Sequence, residues 1–169
     1  MTGSGPAPRR GGPRPAGPGG FSLVELLVAL ALLTLLALLV IDSGRRQLAS
    51  GRVEAAARRL GSLLERSRDL ATVAGTPLAL PLQGEEGLEA AVLEGDTTLA
   101  LHHTLPSQLR FTANGLVIDG GTAVVSGSGT DLRRCLVIGL PLGIVRVGRY
   151  AGDPGAGPSS SLCRPDPSL

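Results

Sequence analysis

The hydrophobic pattern changes character along the chain. From Phe21 to Ile41 every position is apolar except Ser22, Glu25 and Thr34. A helix over that run rises about 31 Å at 1.5 Å per residue, enough for the hydrocarbon layer of a bilayer, so the run predicts one membrane-crossing helix. Beyond Ile41 the pattern turns amphipathic. Val53, Ala56, Leu60, Leu63, Leu64, Leu70 and Val73 recur at spacings of three and four, separated by Arg58, Arg59, Glu65, Arg66, Arg68 and Asp69. This predicts one apolar stripe facing a packed surface. Gly75 suits a C′ position and Pro77 forbids continuation, so the helix should end near Ala74. Gly44 and Gly51 each weaken a helix by about 1 kcal/mol relative to Ala. They mark a bend, a segment that melts on assembly, or two tolerated interfacial glycines.

From Thr76 the pattern becomes one of short strands and turns. The strands are predicted at Leu78–Leu82, Leu88–Leu93, Thr97–His102, Leu109–Thr112, Leu116–Ile118, Thr122–Ser126, Leu132–Ile138 and Ile144–Val147. Asn114-Gly115 suits a tight hairpin, and Asp119-Gly120-Gly121, Gly127-Ser128-Gly129 and Pro141 to Gly143 read as further turns. An α+β fold follows, with a long N-terminal helix packed on a small antiparallel β-sheet domain. Its parts are a membrane-spanning helix at 21–41, an amphipathic continuation at 42–75 and an antiparallel β domain at 76–150. Gly, Pro and Ser dominate 151–169, which predicts an irregular tail.

Composition changes this picture mainly at the N-terminus. Residues 1–20 hold seven Gly and five Pro, which disfavour helix and strand alike, so they read as a leader outside the fold. The leader carries three of the 16 basic residues, and without it the rest holds 13 basic against 14 acidic side chains. The remainder is near neutral, which weakens any case for a nucleic-acid partner based on global charge. All the basic residues are Arg, and Phe21, Phe111 and Tyr150 are the only aromatics, too few for a base-stacking platform. Three leader arginines face Arg45, Arg46, Arg52, Arg58 and Arg59 after the apolar run, so charge counting alone does not orient it.

The junction Gly20-Phe21-Ser22-Leu23-Val24-Glu25 resembles the processing site of type IV prepilins and pseudopilins. The resemblance implies cleavage by a prepilin peptidase after Gly20 and N-methylation of the new terminus, Phe21. That peptidase acts on the cytoplasmic face, so the leader would lie inside and everything after Ile41 outside the membrane. Glu25 has two readings. A first-turn acid is favoured by the helix dipole and sits near the interface. The resemblance instead implies that Glu25 pairs with the N-terminal amine of a neighbouring subunit, penalising wrong axial registers in a filament core.

A second resemblance narrows the family. Arg68-Asp69-Leu70-Ala71 with Gly75-Thr76-Pro77-Leu78-Ala79-Leu80 is similar to the helix end and first strand of GspH/FimT minor pseudopilins and minor pilins. Leu109 to Gly115 resembles their apolar-Phe-x-x-x-Gly strand and turn, and Leu136-Val137-Ile138 through Gly143 to Val147 their closing hairpin. The chain departs from the pattern in its long Pro-rich leader and in Ile144, where an arginine is common. The implied function is a non-enzymatic minor subunit of a type II secretion pseudopilus or a type IV pilus, near the tip. Its implied partners are the peptidase, other pilins or pseudopilins, the inner-membrane assembly platform and membrane lipid.

Cys135 and Cys163 both fall in the exported part, where an even pair favours a disulfide over two separate thiols. His102 and His103 would point to opposite faces of a strand and lack further ligands, so no metal site is predicted. Ser126, Ser128 and Asp131 form no nucleophile and base pair, and Gly127-Ser128-Gly129 has no P-loop lysine. Neither an enzyme nor a cofactor is expected. The alternative function is a DNA-binding minor pilin of an uptake pilus, using Arg133, Arg134, Arg146 and Arg149, with Arg164 as a further candidate. Those arginines read first as solvated charge flanking strands, and DNA contact is the second reading.

Overall fold

In the computed structural model, which describes residues 20–140 and 142–166, one helix of 52 residues, α1 (Leu23–Ala74), opens the fold. The chain divides into two units, Met1–Val40 and Ile41–Leu169. In the first, every described side chain from Phe21 to Leu38 is exposed. The apolar part of α1 is long and apolar enough to cross a membrane. Thr34 satisfies its own hydroxyl there, donating to the Ala31 carbonyl at 2.8 Å.

In the second unit α1 buries Val53, Ala56, Ala57, Leu60, Leu64, Ser67 and Ala71. This stripe departs from the predicted one at its end, where Leu70 and Val73 are 62% and 87% exposed. Helix geometry explains the difference. At about 100° per residue, Ser67 and Ala71 lie about 20° to either side of Leu60, whereas Leu70 lies about 80° and Val73 about 140° away. Gly75 follows the last helical residue with φ +63°, in the left-handed region where glycine ends a helix without a Cβ clash.

Seven strands follow among the described residues. β1 (Leu78–Pro81) pairs antiparallel with β3 (Gln108–Phe111), with Leu78 opposite Phe111. The larger sheet has the order β2-β4-β5-β6-β7, antiparallel throughout. Its strands are β2 (Leu99–His103), β4 (Gly121–Gly127), β5 (Arg134–Gly139), β6 (Ile144–Tyr150) and β7 (Cys163–Pro165). The main core packs the α1 stripe on one face of this sheet and on β3, through Leu99, Leu109, Phe111, Val125, Leu136 and Ile138. A smaller cluster on the other face joins Val124, Cys135 and Tyr150, with Cys163 against it. The fold is α+β, a long N-terminal helix packed on antiparallel sheets, as the sequence predicts and consistent with a pilin-like architecture.

Three segments differ from expectation. Leu88–Leu93 is a short helix, α2, because Leu88 and Val92, four apart, both bury and the residues between them favour helix. Leu116–Ile118 forms no strand and contributes one bridge, Phe111 to Val117. The segment expected to be an irregular tail contains β7 and two single 3₁₀ turns, Pro154–Ala156 and Ser160–Leu162. The Tyr150 hydroxyl accepts a hydrogen bond from the Ser159 N–H at 3.1 Å, and Pro154 is buried, so this segment packs against the domain.

Candidate functional site

The N-terminal candidates lie at the start of α1. Gly20 and Phe21 precede the helix, and Phe21 is 80% exposed. The Ser22 hydroxyl accepts from the Glu25 N–H at 3.2 Å, and the Ser22 carbonyl accepts from the Leu26 N–H, so Ser22 caps the first turn. Ser22 was not singled out from the sequence, although Ser-x-x-Glu before an apolar run is a recognised helix-start pattern. Its cap fixes where the helix begins and sets Glu25 in its first turn, with the side chain exposed.

The arginines proposed for DNA do not form one surface. Arg133 is half-buried and donates to the Gly152 carbonyl. Arg134 is buried, with Nη2 2.5 Å from Glu54 of α1 and Nη1 2.6 Å from Asp166, so it is an internal cation and not a phosphate contact. Burial pulls its pKa down, but the hydrogen bonds to Glu54 and Asp166 outweigh that and hold it above the usual arginine value. Arg149 lies directly opposite Arg134, on the face toward α1, whereas Arg146 lies opposite Val137. Residues three apart on a strand point to opposite faces, so Arg146 and Arg149 are turned away from each other. Both are exposed, as is Arg164, which pairs in register with Arg149.

Other helix arginines serve the domain itself. Arg59 bonds Glu94 at 2.9 Å and donates to the Val92 carbonyl at the end of α2. Arg52 approaches Asp96 at 4.0 Å, and Asp96 in turn accepts from the Thr98 hydroxyl and N–H at 2.6 and 2.9 Å. These side-chain and backbone bonds from Thr98 hold the Asp96 carboxyl below its ordinary pKa. His103 has Nδ1 3.2 Å from the Leu105 carbonyl, a structural contact.

Cys135 of β5 and Cys163 of β7 form a disulfide with Cα atoms 5.8 Å apart. It passes across β6, where Gly148 is the residue opposite both Cys135 and Pro165. A Cβ on Gly148 would stand 2.1 Å from the Arg164 carbonyl oxygen, so the crossing requires a glycine. The bridge closes a separation of 28 residues and stabilises the fold by about 3 to 4 kcal/mol in the chain-entropy view.

Residues 18–41 match the Prokaryotic N-terminal methylation motif family. The match covers the junction, the apolar run and nothing of the sheet domain. No curated protein and no solved structure matches the chain. The motif supports a pilin or pseudopilin that is processed at its N-terminus and assembled with other such subunits, a structural role in place of catalysis.

Proposed function

We propose that the chain is a minor, non-enzymatic subunit of the GspH/FimT type, assembled through α1 into a type II secretion pseudopilus or a type IV pilus, near its tip. Residues 1–20 are the leader, cut after Gly20 by the prepilin peptidase, and Phe21 becomes the methylated terminus. Residues 21–41 hold the precursor in the inner membrane with its N-terminus cytoplasmic and the sheet domain periplasmic. Glu25 then pairs with the terminal amine of an adjacent subunit and sets the register, since burying either charge alone is costly in an apolar bundle. The observation that carries the reading is the methylation motif over residues 18–41, leading into a helix that continues to Ala74 and carries a sheet domain.

Against the DNA-binding alternative, Arg134 is buried and Arg146 and Arg149 face opposite ways. Co-expression with a prepilin peptidase tests the proposal, with N-terminal sequencing and intact mass as readouts. The expected product starts at Phe21 and carries one methyl group, and a chain still bearing the leader would overturn the assignment. Glu25→Ala should leave cleavage intact and reduce incorporation into filaments; normal incorporation would remove the register role.

A further inference from the structure

Two arginines stand just past the apolar run, and the fold brings a third to them. Arg45 and Arg46 of α1 line an open cleft of about 830 Å³ together with Arg149 of β6. Among the described residues, Asp131 is the one acid lining it, from the loop that joins β4 to β5. The loop is tied to the helix at this cleft by a 2.8 Å hydrogen bond between the Ser50 and Thr130 hydroxyls. Among the described residues, the side chains of Arg45 and Arg149 make no ion pair or hydrogen bond.

The neighbourhood of Arg149 sharpens the point. On its sheet it lies opposite Arg134 on one side and Arg164 on the other. Like charges placed opposite each other on a sheet repel. Arg134 is neutralised by two carboxylates, but Arg149 and Arg164 receive none from the described residues. Arg45, Arg149 and Arg164 therefore leave this surface with positive charge in excess of Asp131, and its complement is an external anion.

The position along the chain selects which anion. Arg45 follows Ile41 by four residues, and even fully extended chain spans no more than about 14 Å over that distance. If residues 21–41 cross the bilayer, the cleft residue Arg45 is held at the depth of lipid headgroups. On the exported side a cluster of arginines next to a span runs against the usual cytoplasmic bias of positive charge, so it calls for a specific counter-charge.

The geometry points to a binding site for anionic phospholipid headgroups, formed by Arg45, Arg46 and Arg149 and extended by Arg164. It rests on the membrane-spanning reading of residues 21–41. The site holds the sheet domain against the outer surface of the bilayer before the subunit is extracted into a filament, and Arg149 transmits that contact from helix to sheet. Each arginine near a lipid surface contributes about 1 kcal/mol, which is about a fivefold change in the lipid concentration needed.

The test uses the full chain reconstituted in phosphatidylcholine vesicles with increasing fractions of phosphatidylglycerol. Amide exchange of Gly129–Leu132 and Gly148–Tyr150 should slow as phosphatidylglycerol rises, with a midpoint that Arg149→Gln and Arg45→Gln each move upward about fivefold. Arg146→Gln, on the other sheet face, should leave the midpoint in place. Exchange that is independent of phosphatidylglycerol, or midpoints unmoved in both cleft variants, would overturn the site. Equal protection by inorganic phosphate in pure phosphatidylcholine vesicles would make it a free-anion site, and protection by duplex DNA in place of lipid would make it a nucleic-acid surface; either result overturns the lipid assignment. Alkaline extraction of the same vesicles reports the span separately. A chain released by alkali overturns the spanning reading, and the headgroup site with it.

Discussion

Arg134 sits 4% exposed at the start of the central strand β5, a position that would destabilise an arginine without partners. Its guanidinium links Glu54 of α1 to Asp166 beyond β7, and Nε is left without a hydrogen-bond partner among the described residues. One side chain thus ties helix, sheet and C-terminal segment together. Removing the cation leaves two carboxylates facing one cavity, so Arg134→Ala is expected to lower unfolding stability by about 3 kcal/mol. Arg134→Lys should recover only part of it, because an ammonium lacks the planar fork that serves two carboxylates at once. Arg134→Met should cost less than Ala, since it keeps the volume while Glu54 and Asp166, both only partly buried, turn to water. Denaturant unfolding of the full chain in detergent measures all three, and equal stability of Ala and wild type would show the triad to be dispensable.

Among the elements, β7 depends most on long-range contacts. Three residues, Cys-Arg-Pro, carry little strand preference of their own, yet the strand pairs with β6 and is bridged to β5. Gly148 permits this, so Gly148→Ala should force β7 off β6, lower stability by about 1 to 3 kcal/mol and speed reduction of the disulfide. In a Cys135→Ser, Cys163→Ser background the same change should cost less, because β7 is then free to move; an unchanged cost would place the clash elsewhere. These dependences also mark what could be read beforehand. The end of α1 at Ala74 was legible because a C′ glycine and a nearby proline act locally. The far end of the stripe was not, since apolar identity at Leu70 and Val73 outweighed their angle on the helix. The run Leu88–Leu93 was ambiguous because six apolar-rich residues suit a strand or a helical turn, and burial of Leu88 and Val92 decides it. Arg134 looked like surface charge because its partners lie 80 and 32 residues away. Among the site candidates, the junction at Gly20 and Phe21 was legible as a motif, whereas the cleft of Arg45, Arg46 and Arg149 exists only once β6 is folded against α1.

For the whole molecule, acid acts in two ways that can be separated. The 16 arginines and two histidines are balanced near neutrality by 14 carboxylates, so protonating those carboxylates leaves a strongly cationic chain that repels itself. Independently, Asp119 accepts from Arg110 Nε and Nη2 at 2.8 and 2.7 Å, and those hydrogen bonds hold its carboxyl below the ordinary aspartate value, as Thr98 does for Asp96. A carboxyl whose folded pKa lies below its unfolded value of about 3.9 stabilises the fold fully above that pH. The contribution is lost as pH falls through the lowered folded values. The melting temperature of the full chain in detergent should therefore stay level from neutrality to about pH 5 and fall below about pH 4. Added salt should relieve the part due to self-repulsion, which acts over distances that ions screen. The part due to Asp119 should persist in salt, because its bonds to Arg110 are direct and its side chain is 13% exposed. Asp119→Asn lowers the plateau and makes the fall shallower at every salt concentration, since one of the groups linking protons to folding is gone. If instead Asp119→Asn and Asp96→Asn both keep the wild-type slope in high salt, neither carboxyl contributes, and acid unfolding is a matter of net charge alone.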